Sequence, residues 1–403
     1  MKVSLVVNAY IGPNVRGGTG KEGYQLALDL KRRGVLAKVF CKGVSSGIDI
    51  PSENIIAACR SSLCAGILQY LSKAVKRYPG LRLRRHIEQW MDRYFARNVD
   101  STVGDILYCP KPLYPRTFER AHRYGARVVV ETSVLHPRHN LEMVSQERRR
   151  LALGGTSGYT DESRVRIIEK TLDLADVVYA WSPYLRASYL QYGLKEDKVR
   201  TGSDRCEPPG VDIVRFHPIT DRARDDQFIV LHVSSITVIK GVQYLIEAWH
   251  SLGDRVSGRL LLVGPQDRDM RVIRGRYADA SISWVGPVKE PVTYYQRASI
   301  FVSPSISDAG PRSVLESMAC GVPAIVSDQC GIATSIESGV NGFVYCHDDV
   351  EKLAELIEWC YMNRKQVRSM GEKALETVKG YSVGDYPGEV WNRIVRVESE
   401  LND

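Results

Sequence analysis

The chain has 403 residues, 44% of them hydrophobic, with a formal net charge of +8. That size and apolar content exclude a disordered polypeptide and exceed one ordinary core, so two globular lobes are expected. Nine cysteines without a C-x-x-C pair point to reduced thiols, not a disulfide framework or structural zinc, and no metal is expected.

The chain opens on "KVSLVVNAY", a β-branched apolar run of strand length, too short for a signal-peptide core. No later stretch reaches membrane-span length, so a cytoplasmic protein is expected. After this strand comes "IGPNVRGGTGKEGYQ", in which Gly17, Gly18 and Gly20 precede a helix expected from near Lys21. Glycines admit close backbone approach, and a helix start offers free N–H groups to an anion such as a diphosphate. The spacing is neither G-x-G-x-x-G nor that of a P-loop, which argues against a nicotinamide-dependent oxidoreductase and a P-loop nucleotidase.

Residues 1–210 carry 34 basic and 21 acidic side chains, a balance of +13, whereas 211–403 carry 21 and 26, a balance of −5. The excess concentrates in segment 73–85, where Lys73, Lys76, Arg77, Arg82, Arg84 and Arg85 precede the first acid, Glu88, among Leu, Val and Tyr. Such a segment suits an anionic membrane surface, or equally a solvated helix face. No nucleic-acid module accompanies it, and no nucleic-acid partner is expected.

Further strand-like runs follow: "ARVVVETS", "DVVYAWS", "FIVLHVSS", "RLLLVGP", "SIFVSPS" and "PAIVSD". Between them lie helical patterns such as "GVQYLIEAWHSLG". Alternation of this kind predicts βαβ units, parallel sheets and two doubly wound Rossmann-like lobes with function at the carboxyl ends of the strands. The boundary is expected in "EPPGVDIVRFHP", giving domains 1–210 and 211–380, with 381–403 a helix crossing back to the first lobe. "DRD" at Asp267–Asp269 is taken as a solvated loop.

The densest stretch is "SDAGPRSVLESMACGVPAIVSD", residues 307–328. Pro311 suits a first helical turn and Gly321 a stop, so a helix is expected from about Pro311 to Ala319 with Asp308 ahead of it and Glu316 in its second turn. Ionised carboxylates accept paired hydrogen bonds and so fit sugar hydroxyls. Equally, Asp308 is placed to cap the helix and Glu316 to pair with Arg312.

Taken with "HVSSITVIKGVQYLIEAW", "LLLVGP", "WVGPV", "GVNGFVY" and "GVDIVRFHP", this stretch resembles the family 4 retaining glycosyltransferases of GT-B architecture over nearly the whole chain. The resemblance implies a sugar nucleotide, UDP- or GDP-linked, as donor substrate, with no cofactor and no metal. It implies a glycan or lipid-linked acceptor in cell-surface polysaccharide or glycolipid synthesis. It makes the first lobe acceptor-binding and the second nucleotide-sugar-binding, and allows a peripheral location at the membrane's inner face. Lys240 would meet the diphosphate, with Gly17 and Gly18 facing it from the first lobe. Glu316 would take the ribose hydroxyls. Asp308 would take the transferred sugar, with amides near Gly310, Pro311 and Arg312 beside it. Gly286 to Val288 would lie along the base. His136 is the candidate cleft histidine, with His139 its rival. Three positions depart from the family's pattern: Asp308 where Glu is usual, Ser235 where an Arg usually meets the diphosphate, and Thr334 where an acid is common. A non-catalytic sugar-nucleotide-binding or membrane-associated protein of the same fold is the alternative.

Overall fold

Two parallel sheets of the same strand order organise the chain. The computed structural model describes residues 1–15, 18–59, 80–155, 157–202, 206, 210–219, 227–277, 279–381 and 386–402. Gly17 and, from the basic segment, Lys73, Lys76 and Arg77 lie outside the described residues.

The first sheet comprises β1 (Val3–Ile11), β2 (Leu36–Val44), β3 (Ile55–Ala57), β4 (Ile106–Cys109), β5 (Arg127–Thr132), β6 (Val177–Ala180) and β7 (Val199–Arg200). Their order is β3-β2-β1-β4-β5-β6-β7. The second comprises β8 (Phe228–Val233), β9 (Gly258–Val263), β10 (Ile282–Gly286), β11 (Ile300–Ser303), β12 (Ala324–Ser327) and β13 (Gly342–Tyr345), ordered β10-β9-β8-β11-β12-β13. Each sheet therefore reverses direction once, between β1 and β4 and between β8 and β11, and each reversal opens a crevice at the carboxyl ends of the strands. The central strands are buried on both faces, as their β-branched sequences require: every residue of β4, β6, β11 and β12 is buried.

The helix following the glycine loop spans Gly18–Arg32, so Gly18 and Gly20 lie inside it and not in a loop ahead of Lys21. Gly20 is required there, because a Cβ would stand 2.3 Å from the Tyr10 carbonyl oxygen. The last helix, Tyr386–Asn402, packs on the first lobe: Val390, Ile394 and Val397 join the core of Val3, Leu5 and Val39, and Arg393 donates to Glu131 at 3.0 Å.

One first-lobe helix, Pro137–Arg150, leans on the second lobe. Its Val144, and Leu151 just beyond it, sit in the second lobe's core with Val238, Val242 and Ile246. Glu147, buried, accepts from Gln243 Nε2 at 3.1 Å and from the Tyr244 hydroxyl at 2.8 Å. Arg150 pairs with Glu247 at 2.9 Å, and Arg148 pairs with Asp269. That last contact corrects the reading of "DRD" as a solvated loop. Asp267 caps the helix Arg268–Arg276 by accepting from the Met270 amide at 2.9 Å, and Asp269 carries the cross-lobe ion pair.

Candidate active site

The second reversal point is built from tight backbone. The 3-10 turn Val238–Lys240 leads into the helix Val242–Leu252 through Gly241, whose φ is +66°. A Cβ on Gly241 would lie 1.7 Å from the carbonyl oxygen of Pro304, just past β11. Only glycine lets the two strand-end segments meet this closely. Gly264 approaches its neighbour in the same way, since a Cβ there would lie 1.7 Å from the carbonyl oxygen of Ser234.

This closeness brings Lys240 onto Asp308. The ammonium of Lys240 is ion-paired with Asp308 Oδ2, and both side chains are largely buried. Burial opposes the charge on Lys240, the adjacent carboxylate more than offsets that cost, and the net effect raises the Lys240 pKa above its ordinary value. Ser305 Oγ and the Gly310 amide, each at 3.4 Å, also face Asp308 as donors. The two residues expected to serve different parts of a ligand are thus bonded to each other.

Glu316 lies one turn into the helix Arg312–Ala319, which begins one residue later than expected, with Pro311 as its N-cap. Asp308 does not cap this helix. Nor is Glu316 hydrogen-bonded to Arg312: its Oε2 accepts from the buried Tyr295 hydroxyl at 2.7 Å, and Arg312 reaches across the lobes to Glu22 at 2.7 Å. Burial raises the Glu316 pKa; the Tyr295 bond and the Arg312 and Arg215 guanidiniums oppose it. Tyr295 had no signature in the sequence, since "EPVTYYQRAS" holds a helix of only six residues, Val292–Arg297.

Ser235 is exposed at the end of β8, where its carbonyl accepts from Ser234 Oγ at 3.0 Å. Beneath it, His232 is buried, bonded to the Val302 carbonyl at 2.8 Å and to Ser234 Oγ at 2.7 Å. Burial lowers its pKa to about 4. Gly286 ends β10 with φ +81°, its carbonyl accepting from Gly264 at 2.9 Å, and Val288 is half-buried beyond it.

His136 is 1% exposed and caps the helix Pro137–Arg150, its Nδ1 accepting from the Arg138 amide at 3.2 Å. Its ring stacks on Tyr192 at 4.8 Å and meets Tyr189 edge-on at 5.5 Å. Burial lowers its pKa to about 4. That shift favours the uncharged ring at neutral pH, and the ring is committed to a cap and a stack. The lobes nevertheless touch beside it: Ser307 Oγ donates to Asn140 Oδ1, and the Tyr184 hydroxyl to Gln329 Oε1 at 2.7 Å.

Residues 217–377, which include Lys240, Asp308 and Glu316, match the family described as glycosyl transferases group 1. The match lies in the second lobe. A Bacillus subtilis (strain 168) protein named as a glycosyltransferase, EpsD, is 25% identical over 72% of this chain and 76% of its own length. The colanic acid biosynthesis glycosyltransferases WcaL of Escherichia coli (strain K12) and Salmonella typhimurium match over 48% and 45% of their own length. Among solved structures, sucrose-phosphate synthase from Thermosynechococcus elongatus aligns with a TM-score of 0.68 at 19% identity over 99% of both chains. Anabaena HepE, solved in complex with UDP and glucose, aligns with a TM-score of 0.64 at 16% identity over 99% of both chains. These likenesses concern the fold: the chain has the two-lobed GT-B architecture.

Proposed function

We propose that the chain is a retaining, metal-independent glycosyltransferase that moves a hexose from a UDP- or GDP-sugar to a glycan or lipid-linked acceptor in cell-surface polysaccharide or glycolipid synthesis. The observation that carries this reading is Lys240 and Asp308 joined at the second sheet's reversal point, inside the group 1 match. Sequence relatives named for colanic acid biosynthesis and for N-acetylgalactosaminyl transfer to a diphospho-undecaprenol support the acceptor class.

In this reading Lys240 is the cation that the strand ends hold ready for an incoming diphosphate. Without ligand, Asp308 neutralises it. The donor's diphosphate would draw the ammonium away and leave the Asp308 carboxylate to accept from hydroxyls of the sugar. During transfer the ammonium would stabilise the charge gathering on the departing phosphate, where a preorganised charge is worth most. Glu316 would accept from the ribose hydroxyls, with Tyr295 fixing its orientation. Gly18 and the Gly286–Val288 turn would flank the diphosphate and the base. A ring with the pKa of His136 is a poor proton acceptor at neutral pH. His136 is therefore assigned a positioning role, and the departing phosphate oxygen takes the acceptor's proton on the same face of the sugar, so configuration is retained. Arg84 and Arg85 pair with Glu88 and Asp161, so a membrane contact of segment 73–85 would rest on its other basic residues.

The test is incubation of the protein with UDP- and GDP-hexoses, with and without chelator, following nucleotide release and product anomer by NMR. Release with retained configuration in chelator is expected. Tight nucleotide binding with no turnover on any donor and acceptor tried would instead favour the non-catalytic binding protein.

A further inference from the structure

Two adjacent strand ends of the second sheet gather a different chemistry. Asp328 directly follows β12, and Cys346, His347 and Asp348 directly follow β13. The strands run in register to their ends, Ser327 beside Tyr345, and the Asp328 amide donates to the Tyr345 carbonyl at 2.8 Å. One ligand atom from each of Asp328, Cys346 and His347 lies within 4.8 Å of the others. His347 Nδ1 stands 3.7 Å from Asp328 Oδ1 and 3.9 Å from Asp348 Oδ1, and the Cys346 thiol donates to Asp348 Oδ1 at 3.2 Å.

We propose that Asp328, Cys346 and His347, with Asp348 as fourth ligand, bind one divalent transition-metal ion of the zinc class. In a tetrahedral site with metal–ligand bonds of about 2.0–2.3 Å, neighbouring donor atoms stand roughly 3.3–3.7 Å apart. The separations among Asp328, Cys346 and His347, all within 4.8 Å, require movements of up to about 1.5 Å, and Asp348, which already faces Cys346 and His347, turns further to reach the same centre. A second observation is that His347 Nδ1 is buried yet makes no hydrogen bond of ordinary length among the described residues, its facing carboxylate oxygens on Asp328 and Asp348 standing at 3.7 and 3.9 Å. Contacts that long serve a buried nitrogen poorly, and a metal ion at the centre of these side chains would bond it directly. The Asp328 carboxylate is already oriented by the His347 amide, which donates to Oδ1 at 3.1 Å. The donor set of sulfur, imidazole and carboxylate selects zinc or cobalt over magnesium or calcium, which prefer oxygen alone.

On binding, the Cys346 S–H bond breaks, its electron pair forms the S–metal bond, and the proton leaves to solvent. Asp348 Oδ1, relieved of the thiol's hydrogen bond, turns to the metal. His347 also meets the Tyr244 ring edge-on at 6.3 Å, and Tyr244 donates to Glu147 of the cross-lobe helix. The ion would therefore brace the strand ends that back the lobe seam. Its ligands, on the ends of β12 and β13, are not the residues given parts in the transfer chemistry proposed above. The sequence hid it because Asp328 is remote along the chain from "CHDD" and no C-x-x-C spacing marks it.

The test is titration of the chelator-stripped full chain with Co²⁺, read by absorbance. Saturation at one equivalent is expected, with a thiolate-to-cobalt charge-transfer band in the near ultraviolet and visible bands of tetrahedral intensity, all displaced by Zn²⁺. Cys346→Ser should abolish the charge-transfer band, and His347→Gln should keep the band while weakening binding about tenfold or more. Cys346 is exposed, so its replacement leaves the fold intact, which circular dichroism verifies. Absence of stoichiometric binding, or a charge-transfer band that survives Cys346→Ser, would overturn the assignment.

Discussion

The carboxyl ends of the two sheets differ although their strand orders match. Past β8 and β11, glycine-permitted close approach brings an ammonium and a carboxylate together, and the helix that follows carries Glu316. Past β5, one strand beyond the first sheet's reversal, the first lobe presents His136 committed to capping a helix and stacking on Tyr192. One edge holds charge that a ligand could draw away; the other holds rings and caps that position the seam. Similar strand ends thus carry different side-chain chemistry, one offering charge and the other packing the seam.

Replacing a residue on each edge should separate the roles. Lys240→Ala should lower transfer by about a hundredfold to a thousandfold, the usual cost of a lost preorganised charge; steady-state rates at saturating donor check this, and a near-normal rate would remove Lys240 from the chemistry. Glu147→Ala, on the bracing side, should instead cost stability, about 3 kcal/mol, because it strips the buried Gln243 amide and Tyr244 hydroxyl of their acceptor. Denaturant unfolding measures it.

Acid should act on the bracing edge as well. A histidine buried neutral, with its folded pKa near 4, binds fewer protons than its unfolded counterpart, whose pKa is about 6.5. Stability is therefore kept above about pH 6.5 and lost as pH falls toward 4, by up to about 3 kcal/mol for such a group. His136→Asn keeps a capping side chain and should flatten the slope of unfolding midpoint against pH over that window; an unchanged slope would assign the acid sensitivity to His232 or elsewhere. The smallest effect is expected for the cross-lobe pair of Arg312 and Glu22, both partly exposed. A double-mutant cycle should return less than about 1 kcal/mol.

The sequence made the two-lobed architecture readable because buried parallel strands are near-continuous β-branched runs, as in "FIVLHVSS" and "SIFVSPS". Strands such as β3 and β7, of three and two residues, are too short for periodicity to mark. The residues around Asp308 were legible because glycine, proline and acids cluster there at fixed spacing. What stayed hidden were contacts that only the tertiary fold brings together: Lys240 with Asp308 across 68 residues, Tyr295 beneath Glu316, and Glu147 with Tyr244 between lobes. His136 was picked out by its position after a strand; its capping of the next helix depends on backbone geometry, and its burial on the packing of Tyr189 and Tyr192.

The most direct measurement is calorimetric titration of UDP and GDP into the wild-type chain and Glu316→Gln, across mildly acidic to neutral pH. Ribose hydroxyls need the ionised carboxylate, and burial raises the Glu316 pKa, so wild-type affinity should weaken as pH falls toward the acidic range. Glu316→Gln should bind about tenfold more weakly near neutral pH, as loss of charged hydrogen bonds predicts, with no such pH dependence. Equal affinity of the two proteins at all pH values, or no binding of either nucleotide to the wild type, would contradict a sugar-nucleotide site at the second sheet's reversal point.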